Sequence, residues 1–246
     1  MLGYIILSLI FLLVIGIVVY VRTKYSILIR FENGKFSTKI DKKAFYTNNK
    51  IFITNGDKKK LVKKIKGLEI NFYGSNNTLI CPKSVKFSDS EVHFSGNNIT
   101  FKLGEDCSIV RMKAVFGGGE NGNLISIGKG FVNSGILQIF AGGGANNNLI
   151  IGDGSMASRD VTIYTNDGHD IIDKTTAEVI NRSKCDLIIG NHVWIGHGAT
   201  ILKNTQIPDN TIIGAKSVVS GKFEEEFTVL LGAPAKVAKR QIDWRW

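Results

Sequence analysis

The sequence predicts an all-β chain: a triangular coil of short strands, broken by one long loop and preceded by an apolar helix. Three features of its 246 residues say so. From Ile189 to Val219 an isoleucine opens every group of six (Ile189, Ile195, Ile201, Ile207, Ile213), and a small or β-branched residue holds the fifth place (Val193, Ala199, Thr205, Thr211, Ser217). A period of six is neither the 3.6 of a helix nor the two of an isolated strand. It suits a coil of three short strands in which one aliphatic side chain per side points inward and stacks on its counterpart one turn away. Upstream, Phe72, Phe94, Phe116, Phe140 and Tyr164 recur at spacings of 22, 22, 24 and 24, each followed by a turn-rich stretch. Lastly, 27 glycines against three prolines supply many tight corners and no proline-rich linker.

Taken in order, residues 1–21 form the predicted anchor. Tyr4 to Val21 is apolar except for Ser8 and Gly16, and its length of about 18 residues is near the minimum for a bilayer-spanning helix. No Lys or Arg precedes it and no small-residue cleavage site follows, which favours an anchor over a removed signal peptide. Arg22, Lys24, Arg30, Lys35, Lys39, Lys42 and Lys43 come next and place the C-terminal side in the cytoplasm.

Residues 22–66 form a basic juxtamembrane segment. They hold 14 Lys and Arg against 3 Asp and Glu, whereas residues 67–246 hold 17 against 18. The net charge of +10 therefore belongs to this segment and not to the coil, which argues against nucleic-acid binding. Glu32-Asn33-Gly34 predicts a hairpin turn between Ile27–Phe31 and Phe36–Ile40. The run from Lys58 to Lys66 reads either as a solvated charge run or as a contact for anionic lipid headgroups or an anionic polymer. Cys81, Cys107 and Cys185 are an odd number without metal spacing and read as reduced thiols.

Residues 67–232 are the predicted coil. Ile127-Gly128, Ile151-Gly152 and Ile189-Gly190 are equivalent coil starts. The gap from Ile151 to Ile189 leaves roughly 20 residues beyond one coil, between Thr165 and Leu187, and loops of this length in compact domains are usually functional. The Asn-rich corners, among them Asn146, Asn147 and Asn148, suit ladders of side-chain hydrogen bonds and left-handed turns. One or more of these three asparagines also lies within a coil of the long loop, where an acceptor would be reached.

The enlarged corner reads Thr165-Asn166-Asp167-Gly168-His169-Asp170-Ile171. It resembles the T-x-D-G-H-x-I motif of the hexapeptide-repeat acetyltransferases that O-acetylate bacterial capsular and other surface polysaccharides. The resemblance continues through Ile180-Asn181, Asp186 to Gly196, Ile213 to Val219, Gly232-Ala233-Pro234-Ala235-Lys236 and Ile242-Asp243-Trp244-Arg245, covering roughly residues 127–246. It implies a left-handed parallel β-helix, an exception to the right-handed crossover preference, and a homotrimer; with the apolar anchor and its basic flank, the expected location is the inner membrane of a bacterium with the catalytic body in the cytoplasm. It also implies acetyl-CoA as donor, a sugar or polysaccharide acceptor and no metal.

The same resemblance makes His169 the catalytic base. The chemistry agrees, because a neutral imidazole can take a proton from a sugar hydroxyl near pH 7 as the oxygen attacks a thioester. Trp194 would wall the active site, its indole offering one donor and a broad face. The backbones of His197 and Ala215 would meet the pantetheine arm, and a backbone N–H is a natural oxyanion donor. Ser220, Lys236 and Lys239 match cofactor-binding positions, and Arg240 is a further phosphate candidate within the C-terminal tail, residues 233–246. Asp167 and Asn146 to Asn148 are the acceptor-binding candidates.

Two departures stand out. Gly-Asn-Pro-Ala-Lys becomes Gly232-Ala233-Pro234-Ala235-Lys236, and Glu224-Glu225-Glu226 precedes it. Two alternatives remain on the sequence: a zinc enzyme like the γ-carbonic anhydrases, using His169, His192 and His197, and a non-catalytic membrane-tethered scaffold or glycan-binding module.

Overall fold

Inward stacking of one aliphatic residue per side is what the hexads demand, and it is what forms. In the computed structural model, which describes residues 27–32, 35–40, 47–117, 122–144 and 147–246, Ile127, Ile151, Ile189 and Ile207 stand in register in one sheet. Ala157, Ile195, Ile213 and Leu230 do so in a second sheet, and Ile139, Ile163, Ile201 and Val219 in a third. None of these is more than 2% exposed, and the fifth-place residues Val193, Ala199, Thr205, Thr211 and Ser217 are fully buried beside them. Each aliphatic side chain so buried stabilises the fold by about 1.5–3 kcal/mol. Among the described residues the sheets have eight, seven and eight strands, predominantly parallel. They are called here the Ile189, Ile201 and Trp194 sheets. The chain passes from the Ile201 sheet to the Ile189 sheet, then to the Trp194 sheet and back.

The evenly spaced aromatics hide a change of face. Phe72, Phe94 and Phe116 share one inward register of the Ile201 sheet, and their successor is Ala141. Phe140 pairs instead with Val115, and Tyr164 with Phe140, in the neighbouring register that points outward. A spacing of 24 where the coil advances by 25 moves the ring by one position, and one position changes the side of the sheet. Phe94 and Phe116 are fully buried and meet edge to face at 5.4 Å, whereas Phe140 and Tyr164 remain half-buried on the outside.

The solenoid starts earlier than position 67. Lys50–Asn55 already pairs in parallel with Thr78–Pro82, and Lys58–Val62 folds back antiparallel on it as an outer strand of the Ile189 sheet. Ile51 is buried, and Val62 and Ile65 pack on the core. The lysine run is thus a strand whose alternation is masked by Lys58, Lys59 and Lys60, with the Lys59 ammonium 4.0 Å from the centre of the Phe52 ring. At the other end Ala235–Arg240 runs antiparallel to Thr228–Gly232 in the Trp194 sheet. Residues Met1–Thr47 form a separate unit containing the expected hairpin, Ile27–Glu32 against Lys35–Ile40. The apolar run Tyr4–Val21 lies outside the described residues; among those described, no helix is long and apolar enough to cross a membrane.

The corner leaving the Ile201 sheet carries the asparagine ladder. Asn77 accepts from the Ile99 N–H at 2.9 Å and donates to the Gly96 carbonyl at 2.8 Å, and Asn123 donates to the Gly144 carbonyl one coil on. Cys81 and Cys107 are core residues, and burial pushes both thiols up, away from reactivity.

Two glycines of one coil start do different jobs. A Cβ on Gly152 would lie 2.5 Å from the Gly190 carbonyl carbon, so its coil stacks only without a side chain. Gly154 has open space around it and a φ of +63°, a conformation that Asn also adopts. Urea unfolding is expected to show Gly152→Ala destabilised by about 1–3 kcal/mol and Gly154→Asn by less than about 1 kcal/mol.

Candidate active site

The long loop leaves the Ile201 sheet after Val161–Tyr164 and is fastened at both ends. At its entry the buried Thr165 hydroxyl accepts the Gly142 N–H at 3.0 Å, and the Thr165 carbonyl accepts the Ser183 hydroxyl at 2.8 Å. At its exit Asp186 accepts both the backbone N–H and the side-chain amide of Asn148, at 3.2 and 3.1 Å. Between these ends Asn181 ties the loop to itself. Its amide donates to the His169 carbonyl at 2.8 Å and to Asp167 at 2.7 Å, and its side-chain oxygen accepts the Ile171 N–H at 2.8 Å. The Lys203 ammonium reaches up from the next coil to Asp167 and to the Asn181 carbonyl. Partial burial pushes the Asp167 carboxyl up, but the hydrogen bonds from Lys203 and Asn181 outweigh it and hold the group below its ordinary value.

From this base an arm extends over residues 171–180. Ile180 donates to the Ile171 carbonyl at 2.9 Å, and Asp173 closes the tip by accepting the Thr175 and Thr176 N–H groups. The arm carries Ile171, Ile172 and Ile180, all more than half exposed.

These restraints hold His169 at the edge of a cleft of about 550 Å³. Gly117, Gly143 and Gly144 line it, with Asn147, Asp167 and Arg182. The glycines bring backbone to the surface, so a hydroxyl-bearing ligand can approach closely. Of the expected acceptor contacts, Asn147 lines this cleft, and Asp167 lines it with its carboxylate already engaged. Asn148 serves the scaffold through Asp186, and Asn146 lies outside the described residues.

The remaining expected residues gather elsewhere. Trp194 lies on the outer face of the Trp194 sheet, its indole N–H donating to Ser158 at 3.0 Å and its ring 6.2 Å from that of Trp244. The tail folds back here: Trp244 stacks on His192 at 4.3 Å and donates its indole N–H to the His192 carbonyl, while His192 Nε2 lies 3.2 Å from Asp243. His197 and Ala215 occupy successive coils at the corner leaving this sheet, joined by the Lys216 N–H donating to the His197 carbonyl at 2.8 Å. His197 Nδ1 lies 3.0 Å from the Arg159 carbonyl oxygen. Lys236 and Lys239, both exposed, are on the last strand of the same sheet. Ser220 is on the loop-bearing corner instead.

Arg240 is held by Glu225 at 2.6 and 3.1 Å and can reach a phosphate only by leaving it. The other two glutamates of that loop are also engaged, Glu224 by Lys222 and Glu226 by Asn210. His192 and His197 are each occupied locally, and among the described residues no group of three or more His, Cys, Asp or Glu is placed to hold a metal.

Lys203, a hexad residue with an ordinary solvated lysine's pattern, carries no signal of this role in the spacing, and neither does the way Asn181 joins the two halves of the loop. Their role is testable by pH. Because the folded Asp167 carboxyl is depressed, its hold on the loop is complete above the ordinary carboxylate range and lost as pH falls below it. Amide protection over residues 166–183 is expected to persist from neutral pH down through that range. In Lys203→Met it should drop several-fold already at pH 7, as read by hydrogen exchange.

Comparison with known proteins agrees with this architecture. Residues 186–221 match the bacterial transferase hexapeptide (six repeats) family. The polysialic acid O-acetyltransferase of Neisseria meningitidis is 32% identical over 190 residues, covering 72% of this chain and 79% of that enzyme. The crystal structure of the polysialic acid O-acetyltransferase OatWY superposes with a TM-score of 0.63 at 27% identity, over 82% of this chain and 91% of that one. The polySia-specific acetyltransferase NeuO gives 0.61 at 25% identity, over 81% and 79%. The left-handed β-helix implied by the hexads is the fold shared with them. This chain belongs to the hexapeptide-repeat O-acetyltransferases and is an acyltransferase.

Proposed function

We propose that the protein transfers an acetyl group from acetyl-CoA to a sugar hydroxyl of a bacterial surface polysaccharide or its precursor, with His169 as general base. The observation that carries this reading is the placement of His169 on a doubly fastened loop at the rim of a glycine-lined cleft. A scaffold protein has no need of a histidine carried on a loop fastened in that way. The relatives named for polysialic acid support the choice of a glycan acceptor.

In this mechanism acetyl-CoA supplies the activated acyl carbon. The neutral His169 imidazole takes the proton of the acceptor hydroxyl as its oxygen attacks that carbon, and the imidazolium returns the proton to the leaving thiolate. The backbones of His197 and Ala215 would meet the pantetheine arm and the thioester end, and a backbone N–H there suits the oxyanion that forms. Lys236 and Lys239 suit the donor's phosphates as point charges.

Assembly is part of the proposal. His169 is on one corner of the triangle, and Trp194, His197, Ala215 and Lys236 are around another, so a single chain does not combine them. A homotrimer that sets the loop corner of one subunit against the Trp194 face of the next completes the site, with Ile171, Ile172 and Ile180 finding cover in the contact. The apolar run Tyr4–Val21 would tether the assembly to the inner membrane with its catalytic body in the cytoplasm. The run from Lys58 to Lys66 suits anionic lipid headgroups or an anionic polymer.

His169→Ala is expected to lower acetyl transfer by about 10²–10⁴-fold with no change in assembly mass by light scattering; full turnover in that variant would remove the residue from the chemistry. Ile172→Asp is expected to yield monomers in the same measurement, with turnover lost alongside.

A further inference from the structure

Resting on the transferase reading, the geometry points to a second acceptor subsite beside the His169 cleft. It is a notch between Val115 and Phe140 on the outer face of the Ile201 sheet, and it takes the sugar unit adjacent to the one acetylated.

The notch follows from the change of face described above. Outward positions of the Ile201 sheet form a column in register: Asn71, His93, Val115, Phe140, Tyr164. At one end Tyr73 and His93 stack with ring centres 5.9 Å apart, and at the other Phe140 and Tyr164 stack at 5.0 Å with planes 9° apart. Val115 between the two pairs has no ring. With Tyr164 covering one face of Phe140, the other face looks across Val115. Gly117, two residues further along that strand, has no side chain to close the gap. The resulting notch measures about 190 Å³ and is walled by Val115, Phe140, Ala141 and Tyr164.

Its occupant is argued from continuity. Gly117, Asn166, Asp167 and Gly168 line both the notch and the larger cleft, so whatever leaves the cleft along this sheet enters the notch next. The notch has about a third of the cleft's volume, which suits one ring or acyl substituent. An aromatic wall complements the C–H face of a pyranose, and Asn166 and Asp167 at the notch's border with the cleft bring polar groups to its edge. Phe94 and Phe116 fill the core of this sheet, whereas Phe140 and Tyr164 on the two coils before the loop point outward and add nothing to that core.

The test uses the full-length protein. Surface polysaccharide from a strain lacking the gene is cut by partial acid hydrolysis, sorted by size and offered with radiolabelled acetyl-CoA. For the wild type, kcat/KM is expected to rise about tenfold from the single unit to the shortest oligomers. In Phe140→Ala, which opens the wall, and Val115→Phe, which fills the notch, that ratio is expected to fall towards one. Wild-type transfer that ignores length overturns the subsite and leaves the transferase reading intact. Transfer to none of the fractions overturns both. If either variant loses turnover equally on every length, the rings only support the loop and the subsite is overturned. A change of assembly mass in Phe140→Ala assigns this face to a contact between copies and overturns it as well.

Discussion

Strands in a sheet stand about 4.8 Å apart, and in this solenoid that distance governs everything else. Each coil must lay its inward residues directly over those of the coil before it, so the interior admits neither an insertion nor an offset. Gly152 under Gly190 shows how little tolerance there is even at the corners. Additional chain therefore has one way out, at a corner where turns already bulge and asparagines already bridge the coils. The long loop is the largest of these bulges, and the ladder beneath it supplies the rigid ground it stands on.

A loop raised on such ground needs its own restraints, because none of its residues belongs to the core except Thr165. They are polar and local: Asn181 to the His169 carbonyl, Asp167 to Asn181 and Lys203, Asp186 to Asn148. Exposed ion pairs contribute little to global stability. Here their effect is on geometry, since they fix the backbone that carries His169 while leaving the residue exposed. The tail plays the matching part on the Trp194 sheet, where Trp244 stacks on His192 and flanks Trp194.

What could be read in advance was whatever obeyed the period. The five hexads gave the inward columns residue by residue, down to the buried fifth places, and the excess between Thr165 and Leu187 located the loop. Composition misled where a strand lies at a sheet's edge: Lys58–Val62 pairs through its backbone, which is indifferent to its lysines. The aromatic spacing marked one strand and one bulged corner per coil but not the face of the sheet, because a difference of one residue in 25 reverses the side without disturbing the rhythm. Hydrogen bonds across coils, such as Lys203 to Asp167 over 36 positions, leave no trace in the spacing at all. The Glu225 partnership with Arg240 is another of this kind, and it offsets one of the three glutamates in the loop before the C-terminal tail.

A stack of parallel coils has no intrinsic reason to stop: its last coil offers the same open edges as its first, and a second molecule could continue it. The two reversed strands answer this at opposite ends. Lys58–Val62 covers the start of one sheet and Ala235–Arg240 the finish of another, each turning the direction of pairing. Both are rich in cations, Lys58, Lys59 and Lys60 at one end, Lys236, Lys239 and Arg240 at the other, so two molecules approaching end to end bring like charges together. At each end one of the three sheets is thus finished by a strand from outside the repeat, while the repeat itself carries no stop.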